Sequence, residues 1–272
     1  MATPQKLKTY PQFLFLLPPL LVYFLANCLF ELSVDPANSA IKKLLEGIKV
    51  GASLDLKHVF VELKARYMWL AAALLNIVIP IVSIIVSFAT IRYFVKGTKL
   101  RWTVIIGLLL CLGNLSYLHY SAKMENALHE LVFGFTYKTL VRSGLFSNIF
   151  LLHVYIIIST INILAAITPI LLLLAVCATV GLPGVPRHDY LTLVTEQMCR
   201  LKEIINIGGA FLVFGILHMN MWLNWTASLV SDPGLRTEIS NLAWSISVYW
   251  GVTFTLVLAM TYLPPFTCKT GL

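Results

Sequence analysis

Side chains that could do chemistry are few and scattered along this chain. Six histidines stand at positions 58, 119, 129, 153, 188 and 218, and no two come within five residues of each other. Metal-dependent membrane enzymes cluster their ligands, so a histidine box is excluded. His129-Glu130-Leu131-Val132-Phe133 begins like the zinc-protease pattern H-E-x-x-H, but Phe133 stands where the second ligand must be. A nucleophilic serine on a Gly-flanked turn would read G-x-S-x-G, and that string does not occur. Cys28, Cys111, Cys177, Cys199 and Cys268 form no C-x-x-C pair, and at least three of them lie in apolar runs. They read as small core residues, not as disulfides or metal ligands. His218-Met219-Asn220-Met221 joins imidazole to thioether, which suits Cu(I), yet consecutive residues point around a helix and only some can face one site. A buried, hydrogen-bonded His218 in a packing seam is the better reading. The sequence therefore assigns no catalytic residue, no metal and no cofactor, and it disfavours catalysis.

Neutral polar side chains are more numerous inside the apolar runs. Asn76, Asn114, Ser116, Asn162, Asn220 and Asn224 could line a passive path, joined by the ionisable candidates His153 and His218, with His119 at a helix end. Ion-coupled carriers commonly place Asp, Glu, Lys or Arg near the bilayer midplane, and the span cores contain none. A driven transporter is therefore disfavoured. Each amide also has an ordinary explanation as an interhelical hydrogen bond, worth about 0.6 to 2 kcal/mol.

The elements that must position these groups are set by the charge pattern. Windows 9–30, 67–91, 102–122, 143–186, 204–231 and 239–268 carry no Asp, Glu, Lys or Arg. A charge-free apolar run of about 18 or more residues is what a helix needs to cross roughly 30 Å of hydrocarbon, where every backbone polar group must be paired internally. With 58% hydrophobic and only 12% charged residues, the composition excludes an ordinary soluble domain, which carries about a quarter charged. The expected fold is all-α: a polytopic integral membrane protein, one helical domain over residues 1–272, with spans near 11–32, 67–94, 102–120, 147–182, 205–230 and 242–263. The first span is longer than a cleavable signal's apolar core and reads as a retained signal anchor.

Three connecting segments, 39–66, 121–140 and 189–204, read as amphipathic. In the first, Ile41, Leu44, Leu45 and Ile48 repeat at helical spacing, and Leu56, Val59, Phe60 and Leu63 repeat it again directly before the second span. These helices are expected on the membrane surface, over the ends of the spans, or against a partner. The 143–186 run exceeds one crossing and must tilt, bend at Pro169, re-enter, or bury its surplus against protein. On the fifth span Gly208, Gly215, His218, Trp222 and Trp225 fall along one stripe, where small residues let two backbones approach. That stripe is read as a helix-packing seam.

The net charge is +8, and the 20 Lys and Arg residues are spread over every extramembrane strip, which fits interfacial anchoring and anionic lipid and not a nucleic-acid groove. The short 92–101 strip holds four basic residues and no acid, so both termini are expected on the cytoplasmic side. The leading expectation is a non-enzymatic membrane subunit that self-associates or docks a membrane-protein partner, in contact with membrane lipids. A channel or passive facilitator lined by the neutral polar groups is the alternative, and a membrane-embedded enzyme comes third.

Overall fold

The computed structural model describes residues 56–123, 134–180, 190–230 and 232–267, together with part of 18–30. Among these residues the chain is all-α, in line with backbone that must pair its own polar groups in lipid. We number the helices α1 (Leu21–Phe30), α2 (Leu56–Phe94), α3 (Gly97–Lys123), α4 (Phe135–Ser143), α5 (Asn148–Val180), α6 (Tyr190–Ser228) and α7 (Pro233–Thr267). Among the described residues, four segments are long and apolar enough to cross a bilayer: Val59–Phe94, Leu100–Tyr117, Asn148–Thr179 and Val194–Ser228. The sequence reading expected six spans.

Several expected boundaries move. The second span does not begin at residue 67 but continues a helix opened at Leu56, so the amphipathic 56–66 stretch is the first part of α2. The amphipathic 190–204 stretch, whose helical spacing runs on into the fifth span, forms the first turns of α6, 39 residues without a break. Of the 121–140 segment, 121–123 close α3 and the short α4 begins at Phe135, while 124–133 lie outside the described residues, as do 39–55. The 143–186 run contains one continuous helix, α5, that passes through Pro169, and α7 extends beyond residue 263 to Thr267.

Contacts along the helices fix their directions. Trp69, early in α2, packs near Trp225, late in α6, while Ile91, late in α2, shares a cluster with Leu174 of α5 and with Leu201 and Ile204, early in α6. Consequently α2 and α5 run parallel and α6 runs against both. On α3, Gly107 approaches Leu174 and Asn114 reaches Ala166, which sets α3 antiparallel to α5. Ser240 and Ser247 of α7 meet Asn224 and Asn220 of α6 in antiparallel order. Tyr23 against Phe254 and Phe30 against Trp250 set α1 antiparallel to α7. The result is an up-and-down bundle with α2 at its hub, packed most extensively on α6 and α5.

Two tight turns need glycine. Gly97 opens α3 at φ +64°, and Gly144 closes α4 at φ +64° with its N–H on the Val141 carbonyl at 3.3 Å, a left-handed cap that residues with a Cβ rarely adopt.

Candidate functional site

At the end of the bundle where α2 and α5 begin and α6 finishes, one charged side chain is enclosed. Glu62 is only 4% exposed. Its Oε1 accepts from Arg66 Nε at 2.9 Å and from Trp225 Nε1 at 2.8 Å, and its Oε2 accepts from Arg66 Nη2 at 2.5 Å. The Arg66 guanidinium in turn lies over the rings of Phe146 and Phe150, 5.1 and 5.4 Å from their centroids. Trp69, one turn further along α2, is fully buried, stacked on Trp225 at 4.9 Å and tilted against Trp222 at 5.2 Å. Residues 62, 66 and 69 share one face because they stand at i, i+4 and i+7.

Of the 56–66 stretch, Val59 and Phe60 point outward, 45% and 64% exposed, while the Glu62 carboxylate faces in. The physical reason is the solvent. Lipid tails accept Val and Phe as readily as a protein core does, so a helix in contact with lipid turns its polar residues toward its neighbours. Glu62 stands in the first turn of the apolar segment Val59–Phe94, ahead of the charge-free 67–91 stretch.

Chemically, the arrangement is a clamp. Both Glu62 oxygens are engaged, and the bidentate guanidinium and the indole N–H are the strong, geometrically specific donors for such a carboxylate. Cation–π contact holds the outer face of Arg66. The clamp joins α2, the start of α5 and the end of α6.

The residues singled out from sequence fall in several places. Asn114 donates to the Ala166 carbonyl at 2.9 Å. That carbonyl is one residue past Ala165, whose helical donor is missing because Pro169 has no N–H. Asn220 donates to Ser247 Oγ at 3.3 Å and its Oδ1 accepts from Asn224 at 2.8 Å, while Ser240 donates to Asn224 Oδ1 at 3.0 Å. These four side chains form a polar ladder between α6 and α7. Asn76 is buried on α2 opposite Gly215, where a Cβ would lie 3.9 Å from its Oδ1. His218 is buried against Trp69, ring centroids 6.3 Å apart, and its Nδ1 has no partner among the described residues. His153 is exposed, with Nδ1 on the Ile149 carbonyl at 2.7 Å, and Asn162 is half-buried. Gly208 is buried, and Gly215 and Trp222 face α2 of the same chain. The structure thus gathers His218 and Trp222 around Trp69, and Asn220 beside Asn224, and it sends Asn114 to α5 and His153 to the outer surface.

Glu62, Arg66 and Trp69 were missed as a unit. The signal was present in their spacing, with an acid four residues before an arginine and a tryptophan three further on. Among the described residues no group of three or more His, Cys, Asp or Glu could hold a metal ion. No family model, curated protein or solved structure matches this chain.

Proposed function

We propose that the chain is a non-enzymatic integral membrane subunit that self-associates through the outer face of α7. The observation that carries this reading is Asn241. Its side chain is exposed, and its amide has no partner among the described residues, about 12 Å along the helix from Pro233 at 1.5 Å per residue. Asn241 stands three residues beyond Glu238, at the start of the charge-free 239–268 run, and an exposed amide there gains a hydrogen-bonding partner when a second helix is laid against it. Ser245, Val248, Val252 and Thr255 continue the stripe at helical spacing, all exposed, and Trp244 beside them is 67% exposed. Ser245 and Thr255 bond back to the Asn241 and Gly251 carbonyls, which leaves them small, self-satisfied surfaces for close helix approach.

A partner protein with a matching polar position would fit the same face. Both chain ends on the cytoplasmic side belong to the same proposal, supported by the basic 92–101 strip and by the antiparallel pairing of α1 with α7. The test is mass measurement by light scattering after purification in mild detergent. A dimer or larger assembly is expected, shifted toward monomer by Asn241→Leu. A strictly monomeric chain that carries no second protein would sink the reading.

A further inference from the structure

At the opposite end of α2 a shallow, open groove runs along one face of the helix, lined by residues 84–96 alone. Its floor is apolar, formed by Ile84, Ile85, Phe88 and Ala89, and its rim carries Arg92, Tyr93 and Lys96. From Ile84 to Lys96 the distance is about 18 Å at 1.5 Å per residue, close to half of a roughly 30 Å hydrocarbon layer plus the headgroup boundary. Ile85 and Phe88 are 61% and 53% exposed, so the floor is an open surface.

The charges around the rim are unbalanced. Glu196 of α6 lies beside the Tyr93 hydroxyl, and Arg200, near the same position, is ion-paired to Glu203 at 2.9 Å. Arg92 and Lys96 are both exposed, and neither has an ion-pair partner among the described residues. Two neighbouring cations repel, and an anion between them removes that repulsion.

We propose that this groove holds one anionic phospholipid, its acyl chain along Ile84, Ile85, Phe88 and Ala89 and its phosphate between Arg92 and Lys96. Apolar length, an aromatic ring at the boundary and paired free cations are the features that such a molecule matches and that a zwitterionic lipid, with its own compensating ammonium, matches less well. The basis is independent of the α7 face.

The experiment is native mass spectrometry of the full chain released from bilayers of phosphatidylcholine and phosphatidylglycerol in equal amounts. The expected result is one phosphatidylglycerol retained in preference to phosphatidylcholine. Arg92→Gln combined with Lys96→Gln should lower that retained fraction at least threefold, and Lys64→Gln, an exposed cation near the other end of α2, should leave it unchanged. Ala89→Trp fills the apolar floor without altering charge, and it should displace the lipid as well, which keeps the test decisive if the double variant folds poorly. Equal retention of the two lipids, full retention in Ala89→Trp, or an equal loss in Lys64→Gln would each overturn the assignment.

Discussion

Glu62 and Arg66 define what a single side chain does in this bundle. A carboxylate moved out of water is costly by several kcal/mol, and here one bidentate guanidinium and one indole N–H offset that cost. Removing only the acid leaves Arg66 and Trp225 Nε1 without their acceptor. Glu62→Leu is therefore expected to lower stability by about 3–5 kcal/mol, the range for one half of a buried pair. Replacing both, Glu62→Leu with Arg66→Leu, should recover much of the loss, because an apolar pair of similar volume carries no stranded charge. Thermal unfolding in detergent measures both variants. A double variant no more stable than Glu62→Leu alone would show that the pair does not act as a clamp.

Helix by helix, close approach occurs where a small residue meets a large one. A Cβ on Gly107 of α3 would lie 2.7 Å from Leu174 Cδ1, and Leu174 is itself buried on α5. Gly107→Leu is expected to cost about 1–3 kcal/mol by overpacking. Leu174→Ala in the same chain should return part of it, and unfolding curves of the single and double variants give the coupling. Equal and additive losses would remove α3–α5 contact at this level as the cause. The sequence reading marked the glycines of the fifth span and passed over Gly107, because spacing on one helix says nothing about which residue stands opposite. Helix boundaries were misplaced for a related reason. Charge at 57–66 reads as a connection ahead of the span, yet Glu62 is enclosed and α2 continues through it, while on α6 the exposed Arg200 pairs with Glu203 and not with Glu196 as the i,i+4 spacing suggests.

For the whole molecule the question is what its outer faces meet. Only 11% of the most apolar window of α3 is buried, and α3 leans on the bundle chiefly through α5. Its outer surface is Leu and Ile, with Leu108 and Leu109 exposed, and lipid satisfies it. The α7 face differs by its amide and its small residues. On a background without the native cysteines, Val248→Cys should therefore cross-link two copies under mild oxidation in membranes, whereas Leu109→Cys should not. Cross-linking at both positions alike would reflect random collision and argue against a defined α7 interface.

The sequence alone determined that this chain is helical and lives in a bilayer. Long stretches free of Asp, Glu, Lys and Arg admit few other folded solutions, since unpaired backbone is not tolerated in hydrocarbon. It also named Asn114, Asn220 and Asn224, three of the polar side chains that tie helices together. What it could not decide was partner and side. In water an apolar stripe marks the inward face, but in lipid both faces of a helix are acceptable to apolar residues, and the pattern loses its direction. Only the tertiary structure showed that Val59 and Phe60 look outward, that Glu62 looks inward to Arg66 and Trp225, and that Gly215 and Trp222 face α2. Those pairings join residues far apart in the chain, and they follow from packing and from the need to satisfy each enclosed polar group, neither of which a local pattern encodes.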